Sequence, residues 1–327
     1  MKTYNIFTNK EDSLPKGKAD FLLAVSVSKT SDIKGASLTP TLDAEFIMTQ
    51  KIFSHDELAQ TPSGVPTLAF VTRAMHNLHP FSAMEILDLG LEIKPQKVST
   101  HNFNISTGAN IDAKEIFRKG MNFGRAYDLK GSYLILGEST FGGETTAAAS
   151  VLALGYDCAD AFSSSCVEID KALALTNANM SRFEKLSLVS DNMLLFCAGF
   201  LLEATRRFHV VLAGGTQMAA CLLIADALKE DALMRLKHDN VTLATTAWIA
   251  KDVNSDIARL LSLLSYTAHA IYTDFSFEET EMKILKRYDD GEAKEGVGAG
   301  GALAYASSNN LTNSEVLEAM ELIMYTM

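Results

Sequence analysis

Between an apolar run at residues 132–136 and an alanine-rich run at 147–154, the chain reads Gly137-Glu138-Ser139-Thr140-Phe141-Gly142-Gly143-Glu144-Thr145-Thr146. A strand that empties through glycines into a helix start can hold an anion. Glycine lets the backbone approach a ligand, and the helix's free N–H groups and positive dipole end favour a phosphate or carboxylate. Thr145 and Thr146 are placed to cap that helix. Gly137 and Gly142 meet the G-x-x-x-x-G half of a P-loop, but Gly143 stands where the lysine belongs and Glu144 where the magnesium-binding hydroxyl belongs. A di- or triphosphate needs both. The loop therefore argues against a P-loop NTPase and for a monophosphate held without metal by amides and hydroxyls. The same letters also fit a plain βα turn in which glycine only eases packing.

A second segment repeats the pattern. Residues 209–213, His209 followed by four apolar residues, read as a strand, Gly214 and Gly215 follow, and Thr216 opens a helix-type run to residue 228. Two such turns on neighbouring strands could face one ligand from two sides; alternatively the glycines only relieve crowding. Other motifs fail on context. Gly296, Gly298 and Gly301 fit G-x-G-x-x-G, yet charged residues precede them rather than a strand, and too little chain remains for a dinucleotide-binding unit. Asp289-Asp290 has the look of an acidic pair that holds a magnesium-bound pyrophosphoribosyl group, but no apolar strand leads into it. His76 and His79 form an H-x-x-H pair without a further ligand at zinc-site spacing, so they are expected in a loop or the core. No G-x-S-x-G elbow occurs. Neither a metal nor a cofactor is expected.

The elements that must position these turns follow from the apolar pattern. Strand-type runs fall at 21–27, 66–72, 132–136, 209–213, 241–249 and 269–273, with helix-type segments at 112–128, 145–154, 191–207, 216–228 and 255–264. Such alternation, with strands apolar on both faces, predicts an α/β fold: a Rossmann-like, mostly parallel sheet with helices on both faces. Ligands then belong at the carboxyl ends of the strands. Residues 127–130 and 182–185 read as polar connectors. Beyond residue 286 the composition changes, and Thr312-x-x-Glu315 forms a capping box that opens a final amphipathic helix. This gives a core at 60–286, with 1–59 and 287–327 joining in a smaller accessory domain that closes the active site.

The 327 residues carry a net charge of −11 and 47% hydrophobic residues, enough for a large core. No dense basic cluster is present, which argues against a nucleic-acid partner. The N-terminus lacks the apolar core of a signal peptide, and the longest apolar run, 193–202, is about half of the roughly 20 residues a membrane helix needs. A cytoplasmic protein without membrane contact is expected. Cys158, Cys166, Cys197 and Cys221 show no C-x-x-C spacing and read as reduced, buried thiols.

Taken together, the glycine segments resemble those of nicotinate-nucleotide:dimethylbenzimidazole phosphoribosyltransferases, in a divergent branch. The resemblance rests on Gly137-Glu138 with Gly143-x-Thr145-Thr146-Ala147, on Val210-Val211-Leu212-Ala213-Gly214, and on Glu295-Gly296-Val297-Gly298-Ala299 with Leu303, in that order and spacing. Thr39-Pro40-Thr41-Leu42-Asp43-Ala44-Glu45 and Gly64-Val65-Pro66 extend it over nearly the whole chain. The first loop has one residue more than the family's, and Glu144 replaces an asparagine. Ala213-Gly214-Gly215 stands for an Asp-Gly-Phe turn.

The resemblance implies transfer of the phosphoribosyl group of nicotinate mononucleotide to a nitrogen of a benzimidazole-like base, in assembly of a cobamide (vitamin B12) lower ligand. It assigns proton abstraction to Glu295 and a second active-site carboxylate to Glu138. The phosphate and nucleotide contacts fall on Gly142, Gly143, Thr145, Thr146, Gly214, Gly215, Thr216, Gly296 and Gly298. A homodimer is implied as well. Either glutamate, read alone, could also be a solvated loop residue or a helix-start acid; Glu144 and Glu292 are expected to be structural. A nucleotide-binding paralogue without transferase activity, acting as a sensor or partner protein, is the alternative, and a nucleoside-processing enzyme with another leaving group is a further one.

Overall fold

Strand β2 (Ala19–Val27) is buried along its whole length, so it can only lie inside a sheet covered on both faces. The computed structural model describes residues 1–28, 38–61, 63–107, 112–162 and 169–326. Its other strands are β1 (Lys2–Asn5), β3 (Ala83–Asp88), β4 (Thr100–Asn102), β5 (Tyr133–Phe141), β6 (Val210–Ala213), β7 (Val241–Thr246) and β8 (Ala270–Asp274). They form one sheet in the order β1-β8-β7-β6-β5-β2-β3-β4. Every pairing is parallel except that of β1 with β8.

The helices are α1 (Thr39–Thr49), α2 (Ala69–Leu78), α3 (Ala113–Ala126), α4 (Gly143–Ala153), α5 (Ile169–Leu173), α6 (Arg182–Val189) and α7 (Asn192–Ala204). They continue with α8 (Thr216–Leu228), α9 (Ala247–Ala250), α10 (Ile257–Ser262), α11 (Lys283–Asp289), α12 (Ala299–Ser308) and α13 (Asn313–Thr326). Strand side chains alternate between two cores. Leu22, Leu134, Leu136 and Leu212 pack with α3, α4, α7 and α8 on one face. Phe21, Leu23, Ile135 and Val211 pack with α1, α2, α12 and α13 on the other. Helix α7 is buried all round, as its continuous apolar composition requires. It approaches α3 closely because Gly120 and Gly124 face its backbone and its own Gly199 faces the carbonyl of Phe117.

The expected mostly parallel sheet with helices on both faces is the observed one. Several boundaries differ. Residues 66–72, read as a strand, lead into helix α2, which buries Phe70, Val71, Ala74 and Met75; a short apolar run does not separate the two periods. The run 241–249 stops being a strand at Thr246, whose hydroxyl accepts the N–H of Ile249 and caps α9. The connector at 182–185 is the first turn of α6, opened by a capping box on Ser181 and Glu184. Strands β1, β3 and β4 were not legible; β4 is a three-residue edge strand of polar letters.

The division at residues 59 and 287 does not coincide with a break between two bodies. β1 and β2, from the N-terminal segment, are strands of the one sheet, and α12 lies on it: a Cβ on Gly301 would meet the side chains of Ala213 and Ile135 at 2.5 and 2.9 Å. Cys158, Cys197 and Cys221 are buried free thiols, as expected; Cys166 lies outside the described residues.

From β2 the chain proceeds to β3 on one side, whereas β5 leads to β6 on the other. The topological switch point therefore lies between the carboxyl ends of β2 and β5, where Ser26 and Thr140 share a hydroxyl hydrogen bond of 3.0 Å.

Candidate active site

Strand β5 carries Glu138 to this crevice. Its side chain is 4% exposed, and its Oε2 accepts the backbone N–H of Thr140 at 3.0 Å. Burial pushes its carboxyl up to about 8, and the neighbouring charge of Glu295 adds to the shift. Gly142, at φ +70°, then turns the chain into α4. That helix begins at Gly143, so Thr145 and Thr146 lie inside its first turn and neither caps it. Thr146 is buried and donates to the carbonyl of Gly143 and to Asp191, which itself caps α7. The same correction holds for the second turn: Gly215 is the cap position of α8, and Thr216 is its first residue.

Glu295 comes from the C-terminal segment. Residues 296–298 have φ of +138°, +54° and +74°, a left-handed path that glycine takes freely and a valine does not. Val297 is held there from both sides. Its N–H donates to the carbonyl of Glu138 at 2.7 Å, and its carbonyl accepts from Thr72 Oγ1 at 2.7 Å. Backbone strain held in place by surrounding bonds is found preferentially at functional sites.

The path turns the partly buried carboxylate of Glu295 into a cage of four donors. Thr245 Oγ1 (3.2 Å) and Thr246 N (2.9 Å) donate to Oε2; Gly296 N (3.2 Å) and Gly300 N (3.0 Å) donate to Oε1. Burial raises this carboxyl to about 7, against the pull of those four bonds. Two carboxyls thus titrate near neutrality within one crevice, as proton-handling sites require.

Gly214 and Gly215 separate them. A Cβ on Gly214 would lie 3.9 Å from Cγ of Glu138, and one on Gly215 would lie 3.6 Å from Cβ of Glu295. Beyond lies a cleft of about 380 Å³, lined by Glu138, Glu144, Thr216, Gln217, Asp252 and Glu295, with Lys294 at its edge. Lys294 pairs with Asp252 at 2.7 Å. The lining among the described residues is predominantly acidic, which favours a cationic ring, whereas the starts of α4 and α8 bring the positive ends of two helix dipoles beside it. Thr216 Oγ1 donates to Glu144 Oε1 at 3.3 Å and ties the two helix starts together. A neighbouring recess of about 660 Å³ shares Asp252 and Lys294 with this cleft and is walled by Trp248.

Of the residues singled out in the sequence, Glu138, Gly215, Thr216 and Glu295 line this cleft, Gly214 packs beside Glu138, and Gly142, Gly143 and Thr145 lie at the start of α4. Gly296 supplies a donor to Glu295, and Gly298 packs against Phe21 and Gly137. Asp289 accepts from Trp248 Nε1 and Phe277 N, both at 2.8 Å, and so is committed to holding the fold. His76 accepts the N–H of Phe81, and His79 packs on Tyr305. Among the described residues no cluster of three or more His, Cys, Asp or Glu is arranged to hold a metal ion. No helix among them is long and apolar enough to cross a membrane. Two residues were not singled out in the sequence. Gln217 lines the cleft, and Asp43 on α1 is a buried carboxyl raised to about 6 by burial, accepting from Thr67 and from Ser139 Oγ, the latter at 2.7 Å. The string Gly214-Gly215-Thr216-Gln217 carried the signal for the first; the second stood in the Thr39 to Glu45 segment of the resemblance without being marked as a site residue.

Comparison with solved structures places the fold in one class. CobT from Thermus thermophilus superposes with a TM-score of 0.60 at 14% identity, over 94% of this chain and 84% of that one. A second structure, nicotinate-nucleotide-dimethylbenzimidazole phosphoribosyltransferase from the same organism, gives 0.59 at 14% identity, over 94% and 83%. No family model matches the sequence. Relatives in sequence are UPF0284 proteins: that of Sulfurisphaera tokodaii is 32% identical over 97% of this chain and 96% of its own length, and that of Archaeoglobus fulgidus 31% identical over 94% of each. The chain belongs to the UPF0284 family, a divergent branch built on the CobT fold.

Proposed function

We propose that this protein transfers the phosphoribosyl group of nicotinate mononucleotide to a ring nitrogen of an aromatic base, releasing nicotinate, in assembly of a cobamide lower ligand. The observation that carries the reading is that Glu138 and Glu295 line one cleft, beside two helix starts joined by Thr216 and Glu144. The bond from ribose C1′ to the pyridinium nitrogen breaks, and its electron pair leaves with nicotinate, so the leaving group needs no acid. The base nitrogen forms the new bond to C1′, and its proton passes to Glu295. Glu138, losing its own proton as the cationic ring arrives, steadies the positive charge on the sugar. The phosphate lies over the starts of α4 and α8. The protein is taken to act as a homodimer.

The test incubates purified protein with nicotinate mononucleotide and a panel of benzimidazoles, purines and phenols, and measures free nicotinate and the ribosylated base by mass spectrometry. EDTA should leave binding of the mononucleotide intact. One observation favours the alternative of a binding protein without turnover: all four acceptor positions of Glu295 are filled in the free protein. To accept a proton it must release one of its two 3.2 Å partners. Binding without nicotinate release for every base would select that alternative.

A further inference from the structure

Gln217 is the second residue of α8, and its amide reaches across to the start of α4. A Cβ built on Gly143 would lie 2.2 Å from Gln217 Oε1, so the amide rests where only glycine leaves room. That oxygen is buried and accepts no hydrogen bond. A buried acceptor without a partner is costly, so a ligand group that lets the amide form a hydrogen bond is favoured there. Gln217 thus lines the cleft with its amide oxygen against Gly143, the first residue of the helix start that the proposed function assigns to a phosphate.

We propose that Gln217 is the residue that reads the donor's 5′ group. In the free protein its amide oxygen occupies the anion position over α4. When a mononucleotide binds, the phosphate takes that position, and the amide turns to donate Nε2–H to a phosphate oxygen. The side chain thereby distinguishes a ribosyl monophosphate from the same riboside bearing a free 5′-hydroxyl. Gly143 is part of the device, since a side chain there would push the amide away. The inference rests on the transferase reading for its choice of ligand.

The experiment is calorimetric titration of the wild type, Gln217→Ala, Gln217→Glu and Gly143→Ala with nicotinate mononucleotide and with nicotinate riboside, each variant first checked by thermal melting. A hydrogen bond to a charged group sets the scale: Gln217→Ala should weaken mononucleotide binding roughly 10- to 100-fold while riboside binding stays within about threefold. Gln217→Glu, which places a carboxylate at the anion position, should weaken it further, and Gly143→Ala should resemble Gln217→Ala. Equal losses for both ligands, or no loss for the mononucleotide, would overturn the assignment. A wild type that prefers the riboside, yet releases nicotinate in the presence of a base, would overturn it while leaving ribosyl transfer standing. A wild type that binds neither ligand would overturn both.

Discussion

The backbone N–H of Val297 donates to the carbonyl oxygen of Glu138 at 2.7 Å, joining the C-terminal segment to the central strand two residues beyond Glu295. The bond fixes one carboxylate relative to the other through the backbone alone. It also makes the tail part of the fold rather than an appended lid. Leu303, Tyr305, Val316 and Met320 are buried in the core on that face of the sheet.

Truncation before Arg287 is therefore expected to unfold the protein, not merely to silence it. The deletion removes α12, α13 and the end of α11 and exposes a face that includes Phe21, Ile135 and Val211. At about 25 cal/mol per Å² of apolar surface, newly exposing about 600 Å² is enough to cancel the 5–15 kcal/mol that a typical domain has in hand. Circular dichroism and size-exclusion chromatography of the truncated chain measure this, and a folded, soluble product would contradict it.

Gly300→Ala is expected to damage the site from beneath. Its Cβ would lie 2.4 Å from Cα of Thr245, a backbone atom of β7 that cannot move aside, and 2.7 Å from Oε2 of Glu295. Overpacking of this kind costs about 1–3 kcal/mol. Thermal melting should show a loss of a few degrees, and nicotinate release should fall further than the lost stability explains, since the carboxylate is displaced.

The sheet was legible because buried parallel strands such as β2 read as unbroken apolar runs, and the two strand-glycine-helix turns were legible because glycine has few other reasons to recur there. Residues 296–298 were not legible as the turn that aims Glu295. The letters suggest a misplaced dinucleotide motif, whereas Gly298, Gly300 and Gly301 serve the close approach of α12 and its cap to β5, β6 and β7, and Gly296 serves the turn itself at φ +138°. That Val297 would take φ +54° is set by its bonds to Glu138 and Thr72, both far away in sequence. The threonine caps failed for a related reason: a left-handed Gly142 started α4 earlier than side-chain chemistry alone would place it. Asp43 stood only as one letter of the Thr39 to Glu45 segment, and its place as a buried carboxyl was not legible, because its partners Thr67 and Ser139 meet it only after folding.

Glu138→Gln is expected to stabilise the protein at alkaline pH. The folded pKa of Glu138, about 8, lies above its ordinary value of 4.5, so between those limits the folded state holds a proton that the unfolded state has released. Stability from this group is fully present below about pH 4.5 and is lost as pH rises toward 8, by up to about 1.4 kcal/mol per pH unit for each proton retained. Glutamine removes that dependence. The variant should melt a few degrees above the wild type at pH 8 and match it near pH 4. Its turnover should fall, but less than that of a variant lacking the base. Equal melting differences at both pH values would show that folding does not shift the titration of Glu138.

Glu295→Gln is expected to lower turnover on the order of 10²–10⁴-fold, the usual contribution of a general base, with little change in mononucleotide affinity. Only the ionised form accepts a proton, so the wild-type rate should rise with pH through the carboxyl's value of about 7 and level off above it. Thr245 Oγ1 donates to this carboxylate at 3.2 Å and holds its pKa down. Thr245→Val removes that donor, so the rising limb should move to higher pH. It also frees one of the four filled acceptor positions, so the plateau rate should be maintained or increased. Nicotinate release measured from pH 5.5 to 9 for the three proteins separates these effects. A Glu295→Gln protein with near-normal turnover at saturating base would mean that the proton goes elsewhere, and Glu138, whose own carboxyl titrates at about 8, would then be the leading acceptor.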